Sequence, residues 1–159
     1  TVRVIDFARA QVASGAPMVG AGDAAASLVS PEQYREFALP YERQVADAIH
    51  QAGGLMKLHI CGQTAHLLED MVASGADLSN VDHLVPFEQA CSVYGKHGRC
   101  FKGNLDPVSE MMQSTPEGCA SRCRELIGQA GGLRYMLSPG CEVPAATTDS
   151  VFEAFCGSP

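Results

Sequence analysis

The chain has 159 residues, a mass of 16.8 kDa and a formal net charge of −7, and this length suits one domain that buries about 70% of its unfolded surface. Apolar residues make up 46% and charged residues 18%, which excludes an intrinsically disordered chain. The acidic balance argues against nucleic-acid binding, which needs clustered Lys and Arg, and the absence of any run of about 18 apolar residues argues against a membrane span.

Helical and strand patterns alternate along the sequence. In chain order they predict a helix over residues 4–13, a strand over 18–21, helices over 31–51 and 64–73 with a strand over 55–60 between them, a strand over 78–83, a helix over 86–94, a strand over 100–103, helices over 109–112 and 116–130, a strand over 133–137 and a helix over 149–155. Ser30 is a good cap for the helix that Pro31 begins, and Pro40 predicts a kink in it. Strands that alternate with helices predict βα units on a parallel sheet.

Polar residues and cysteines are concentrated in the loops that follow the predicted strands. Both α/β barrels and doubly wound sheets build active sites from such loops, at the carboxyl ends of the strands. A complete barrel needs about 250 residues, so a chain of this length would form only part of one. Periodicity alone leaves a half-barrel and a small open sheet as alternatives.

The seven cysteines are an odd and scattered set. A small secreted scaffold has a denser and more regular cysteine framework. The first ten residues alternate charged and apolar side chains, unlike a secretory signal peptide. We therefore expect a cytoplasmic protein whose cysteines are reduced.

His59 and Cys61 lie two residues apart at the end of a predicted strand. Side chains at positions i and i+2 of a strand share a face, and imidazole together with thiolate is a donor set that Zn²⁺ accepts. A catalytic zinc site needs a third protein ligand, and Cys141, in the loop after the last predicted strand, is the best candidate. The alternative is that His59 and Cys61 are simply packed in the core, since cysteine often behaves as a small hydrophobic residue.

Three motifs occur in an order that resembles the uroporphyrinogen decarboxylase superfamily: LHICG at residues 58–62, GNLDP at 103–107 and LSPGCEVP at 137–144. The likeness is closest to the cobamide-dependent methyltransferase branch, typified by methylcobamide:coenzyme M methyltransferases, and SPEQY at 30–34 also resembles that branch. Decarboxylases lack the His-x-Cys pair and have Gly-His-Gly where Pro139, Gly140 and Cys141 stand. The resemblance implies that residues 1–159 form one portion of a domain, the later half of a (β/α)₈ TIM barrel with parallel strands and flanking helices.

The resemblance also implies an enzyme and a zinc site. His59, Cys61 and Cys141 would hold Zn²⁺, which activates a small thiol such as coenzyme M, and the thiolate would take a methyl group from a methylcobamide. The donor would be a corrinoid protein or free methylcobalamin. The alternatives are a metal-free enzyme like uroporphyrinogen decarboxylase, and a non-catalytic half-barrel fragment. An isolated half-barrel exposes sheet edges and apolar strand faces, so we expect it to dimerise or to belong to a longer polypeptide.

Other strand-end residues are secondary candidates for the site. Three could supply a fourth zinc ligand or orient His59: Asp82, His83 and Glu142. Three more are candidates for substrate binding: Asp23, Asn104 and Asp106. For Asn104 and Asp106 a structural turn is an equally good interpretation, because their motif is shared by both branches of the superfamily, and Asp23 could likewise belong to a simple turn.

Overall fold

The computed structural model describes residues 1–158 and contains one parallel sheet of five strands. The strands lie side by side in sequence order. They are β1 Met18–Gly22, β2 Leu55–Ile60, β3 Leu78–Val81, β4 Cys100–Leu105 and β5 Tyr135–Pro139. Sequential parallel order is the arrangement of a TIM-barrel wall, which has eight strands when closed. In the described residues β1 and β5 are the edges of an open sheet.

Helices connect and flank the strands. They are α1 Val2–Ala13, α2 Pro31–Phe37, α3 Leu39–Gln51, α4 Leu68–Ala73, α5 Phe87–His97, α6 Pro116–Ala130 and α7 Asp149–Cys156. Short 3₁₀ turns cover Ala24–Leu28 and Ala65–Leu67, and a π-helical turn covers Pro107–Met112. Within residues 1–158, every helix is too short or too polar to cross a bilayer.

The two faces of the sheet have different environments. Met56, Leu58 and Ile60 of β2 are fully buried, and they alternate with Lys57 and His59, which are only half-buried. Sequential right-handed βα crossovers place the helices on one face, so the buried residues point toward the helices and the half-buried ones toward the concave face. In a closed barrel this concave face is the interior.

Most predicted elements are present with shifted ends. The strand over Leu55–Ile60 and the helix over Pro116–Ala130 have the predicted bounds. The predicted helix over residues 31–51 is two helices, α2 and α3, because the backbone departs from helical geometry at Ala38 (φ −116°) and a new helix begins at Leu39 with Pro40 in its first turn. The strand predicted over residues 78–83 ends at Val81, since the following residues form a turn.

Candidate metal centre

The structure brings three sequence-distant donor atoms together at the carboxyl edge of the sheet. The ligand atoms of His59, Cys61 and Cys141 all lie within 4.8 Å of one another. The two sulfur atoms are 3.8 Å apart, and the Cys61 Sγ is 3.0 Å from His59 Nε2. All three residues are half-buried, so the cluster is reachable from the concave side.

Two glycines, Gly62 and Gly140, shape the backbone beside the cysteines. Gly62 follows Cys61 and has φ +93°, a conformation that favours glycine. A Cβ on Gly140 would lie 2.3 Å from the backbone nitrogen of His83, so only glycine lets the loop before Cys141 pack against the turn after β3. The Gly140 N–H also donates to the carbonyl of Leu105 at 2.8 Å. Together these contacts bring the end of β5 toward the end of β2.

The imidazole of His59 is held in one orientation. Its Nδ1 is 3.1 Å from the backbone carbonyl oxygen of Asn80. A carbonyl oxygen can only accept, so Nδ1 carries the hydrogen and Nε2 presents its lone pair to the cysteines. A metal-ligating histidine usually donates its other ring N–H to a backbone carbonyl, a carboxylate or water in this way.

The geometry of these donors fits a tetrahedral zinc ion. Two Zn–S bonds of about 2.3 Å at the tetrahedral angle place the sulfurs about 3.8 Å apart, which is the distance observed between Cys61 and Cys141. The corresponding N···S distance is about 3.5 Å, so the His59 ring, now 3.0 Å from Cys61 Sγ, would move back by about half an ångström. A zinc ion bound here would have three protein ligands and an open fourth position.

The protonation of Cys61 is also governed by this neighbourhood. Burial raises the pKa of the Cys61 thiol, and the neighbouring Cys141 and the carboxylate of Asp82 raise it further. Two thiolates so close together repel each other in the absence of a cation. A bound divalent cation would reverse this preference and deprotonate the thiols.

Asp82 holds the turn beside the cluster. Its carboxylate is almost fully buried and accepts the Gly62 N–H and the Leu84 N–H, each at 2.9 Å. His83 Nδ1 is 3.1 Å from the same carboxylate. Among the described residues, the group of donor atoms within 4.8 Å of one another contains only His59, Cys61 and Cys141. The other three candidates, Asp82, His83 and Glu142, lie outside that group, and Glu142 is exposed.

Asn104 and Asp106 make hydrogen bonds within the strand-end loops. The Asn104 amide donates to the carbonyls of Asp82 and Val85, at 3.2 and 2.7 Å. Asp106 caps the π-helical turn; burial opposes its charge, but hydrogen bonds from the Ser109 hydroxyl and two backbone N–H groups outweigh burial and lower its pKa. Both residues line a polar cavity of about 330 Å³ with His83. The hydrogen bonds of Asn104 and Asp106 hold the loops at the strand ends in place.

Asp23 lies at the end of β1, where its N–H donates to the carbonyl of His59 at 3.0 Å. Beside it is a buried acid that the sequence pattern did not single out. Glu42 on α3 accepts a hydrogen bond from the Tyr34 hydroxyl, and burial raises the pKa of Glu42 to about 7 although that bond acts in the opposite direction. Asp23 and Glu42 line one cavity of about 210 Å³.

Sequence reasoning also missed Asn80. Asn80 orients His59 because the strand register pairs the two residues, and no local sequence pattern predicts that register. The same holds for two lysines, Lys57 and Lys102, which share the concave face with the cluster.

The comparisons with known proteins agree with the motif resemblance. The family described as uroporphyrinogen decarboxylase (URO-D) matches residues 1–158. A methylcobamide:CoM methyltransferase of Methanosarcina acetivorans is 33% identical over 145 residues, covering 90% of this chain and 41% of the relative. A uroporphyrinogen decarboxylase of Synechococcus sp. is 30% identical over 154 residues, covering 96% and 43%. The chain thus spans about two fifths of the length of these relatives.

Solved structures show the same fold. A methyltransferase from Methanosarcina mazei superposes with a TM-score of 0.86 at 23% identity, covering 98% of this chain and 45% of that one. Dihydropteroate synthase from Thermus thermophilus superposes with a TM-score of 0.56 at 21% identity, covering 88% and 54%. The predicted fold class is therefore confirmed: the chain is a partial α/β barrel.

Proposed function

The chain belongs to the uroporphyrinogen decarboxylase family, and on this premise we propose that it carries the thiol-activating zinc site of a methyltransferase. The reaction moves a methyl group from a methylated corrinoid to a small thiol such as coenzyme M. The donor is a corrinoid protein or free methylcobalamin. Because the chain spans only about two fifths of its curated relatives, residues outside it would complete the substrate and corrinoid sites.

The observation that carries the proposal is the convergence of one imidazole and two thiols. The His59 Nε2 and the two sulfurs lie within 4.8 Å of one another although eighty positions separate Cys61 from Cys141. Cysteines brought together only for packing need no histidine lone pair aimed at them. The S···S distance and the fixed tautomer of His59 both suit a metal.

Each protein group has a separate task in this proposal. Asn80 holds the His59 ring with Nε2 toward the cysteines. Asp82 ties down the turn after Cys61 through the Gly62 N–H, and Gly140 allows Cys141 to approach. A zinc ion bound to two thiolates and one neutral imidazole would form a centre with no net charge. The metal would act as a Lewis acid that lowers the pKa of an incoming thiol, and the two anionic ligands would keep the thiol sulfur nucleophilic at neutral pH.

Two other functions make different predictions. Uroporphyrinogen decarboxylases match this chain with similar identity, so a decarboxylase-like enzyme that needs no metal is the main rival. Cys61 and Cys141 favour the methyltransferase, since a metal-free site has no use for two half-buried thiols beside a histidine. A half-barrel that only binds a corrinoid or another chain is the third alternative, and it also predicts no stoichiometric zinc.

The chemistry of the site bears on where and how the chain works. Thiols that must stay reduced suit the cytoplasm, where we place the protein.

The open sheet edges at β1 and β5 and the exposed concave side chains Leu55 and Met136 would be stabilised by contact with further protein. A dimer or the rest of a longer polypeptide would provide it, and analytical ultracentrifugation of the chain distinguishes a dimer from a monomer.

Metal analysis tests the proposal directly. Protein purified without chelator and supplied with zinc should hold about one zinc per chain, and Cys61→Ser, Cys141→Ser and His59→Ala should each abolish stoichiometric binding. Cys156→Ser is the matched control, because Cys156 is an exposed thiol on α7. Unchanged zinc content in both cysteine variants would contradict the proposal. Zinc-loaded protein should then be assayed for methyl transfer from methylcobalamin to 2-mercaptoethanesulfonate.

A further inference from the structure

A small cavity lies on the face of the sheet opposite the candidate metal centre. Its volume is about 210 Å³, and the end of β1, an edge strand of the described sheet, forms one border. Met56 and Leu58 of β2 form part of its wall. Both of these residues point toward the helices, whereas His59 points to the concave face. The cavity is therefore not part of the proposed thiol site.

The cavity contains a buried carboxylate without a counter-ion. Glu42 on α3 is more than nine-tenths buried, and within residues 1–158 its Oε1 has no hydrogen-bond partner. The other oxygen, Oε2, accepts a hydrogen bond from the Tyr34 hydroxyl. The ion pairs of the described residues do not include Glu42. A buried carboxylate without a partner is unfavourable, and a cation in the cavity would stabilise its charged form.

The groups around Glu42 also favour a cation. Asp23, at the end of β1, lines the same cavity. Burial raises the pKa of Glu42 to about 7, and the charge of Asp23 acts in the same direction, against the hydrogen bond from Tyr34. Thr1, with its amino group, and Tyr41 line the cavity as well, but no Lys, Arg or His side chain of the described chain does. The cavity thus holds two acids and lacks a basic side chain.

The lining of the cavity favours an organic cation over a metal ion. Ca²⁺ and Mg²⁺ take about six to eight oxygen ligands, whereas much of this wall is apolar, with Val45, Met56 and Leu58. Phe37 and Tyr41 add two aromatic rings, and aromatic faces attract cations. Sites for drug-sized ligands have volumes of about 300 Å³ or more. A small cationic head group on a short stem suits the space at Glu42.

We propose that this cavity is a binding site for a guanidinium or alkylammonium group, which pairs with the carboxylate of Glu42. The N–H donors of the cation would bond the free Oε1, and the negative charge of Asp23 would add to the attraction. Hydrogen bonds between ionised partners are about twice as strong as those between neutral ones. The site should therefore discriminate between a cation and a neutral molecule of the same shape.

The cation could come from two sources, a free small molecule or a basic side chain of another polypeptide segment. A neighbouring cavity of about 240 Å³ shares Val4, Ala21 and Val45 with the first one and extends along β1 to Val19. The edge of β1 also carries backbone groups that a further strand would pair with. A polypeptide segment would occupy this groove and send a basic side chain to Glu42, whereas a free amine or guanidine would use the first cavity alone.

An NMR titration of the chain, followed through the backbone amides of α3, tests the proposal. Methylguanidinium is the probe, and methylurea is its neutral counterpart of similar shape. We expect methylguanidinium to bind at least about tenfold more tightly than methylurea at pH 8. Because the cation favours the charged carboxylate, its affinity should rise about fivefold or more between pH 6 and pH 8.

Two variants assign these effects to one carboxylate. Glu42→Gln should abolish the preference for the cation and most of its rise with pH, and any pH dependence contributed by the amino group of Thr1 would persist in this variant. Glu36→Gln is the matched control, because Glu36 is an exposed acid on α2, and it should change neither effect. Equal binding of methylguanidinium and methylurea, or a preference that survives in Glu42→Gln, overturns the proposal.

A peptide distinguishes the two sources of the cation. The blocked peptide TIRIT carries one arginine between β-branched residues, and its analogue with citrulline in place of arginine has the same shape without the charge. Tighter binding of TIRIT than of methylguanidinium, lost in the citrulline analogue, would support a basic side chain from a polypeptide segment at the β1 edge. Binding of TIRIT no tighter than that of methylguanidinium would support a free small cation.

Discussion

Replacing Gly140 by alanine should loosen the candidate metal centre without touching a ligand. The new Cβ would lie 2.3 Å from the His83 nitrogen and 3.0 Å from two further backbone atoms, whereas ordinary contacts begin at 3.4 Å. The loop would therefore move by about 1 Å, and Cys141 with it. Zinc sites tolerate deviations of about 0.2 Å in their bond lengths. We expect G140A to weaken zinc binding at least about tenfold, which is the usual loss of metal affinity when a residue that orients a metal ligand is removed.

The same substitution should also cost stability, and the assay must separate the two effects. Overpacking against rigid backbone costs about 1–3 kcal/mol, which lowers the Tm of the zinc-free chain by several degrees. Zinc affinity is measured by competition with a chromophoric chelator, at a temperature where circular dichroism shows the variant folded.

Gly128→Ala is the matched control for G140A. Gly128 lies within α6, and a Cβ there meets nothing within 4 Å, so we expect unchanged zinc affinity and equal or slightly greater stability. A folded G140A chain that binds zinc within twofold of the wild type would refute the reasoning that the approach of this loop to the turn after β3 positions Cys141.

Two further predictions concern buried carboxylates. Because burial raises the pKa of Glu42 to about 7 from an ordinary 4.5, the folded state keeps this proton longer than the unfolded state, and stability should fall by about 3 kcal/mol as the pH rises from about 4.5 to about 7. Denaturant unfolding between pH 4.5 and 8 should show a smaller fall in Glu42→Gln than in the exposed control Glu36→Gln; equal falls would contradict this assignment. Asp82→Asn should leave the N–H of Gly62 or of Leu84 unpaired and cost about 1–3 kcal/mol with weaker zinc binding, and an unchanged Tm would show that this carboxylate does not hold the turn.

The predicted fold agrees closely with the structure where local signals are strong. The strand over Leu55–Ile60 follows a glycine pair and ends before a glycine turn, and the helix over Pro116–Ala130 has a proline start and a glycine stop. Agreement is weaker where tertiary contacts decide. A proline in the first turn of α3 allows a new helix to begin there, so the chain breaks at Ala38 rather than bending at Pro40. The 3₁₀ turn over Ala24–Leu28 has no local sequence signal that we recognised.

For the candidate site, the sequence by itself determined which types of donor side chain are present, one imidazole and two thiols. His59 and Cys61 share a face because a strand has a period of two, and the loop motifs indicated which distant cysteine would join them. The motifs also indicated the α/β barrel class, since alternating strands and helices have few other ways to bury their apolar faces.

Only the tertiary structure decided which groups surround those ligands. Strand register placed Asn80 beside His59 and in a row with Lys102, and a close backbone approach at Gly140 brought Cys141 to the cluster. Glu42 acquired its raised pKa from burial against the sheet. Each of these features depends on residues far apart in the chain, and local sequence patterns do not predict the distances between such residues.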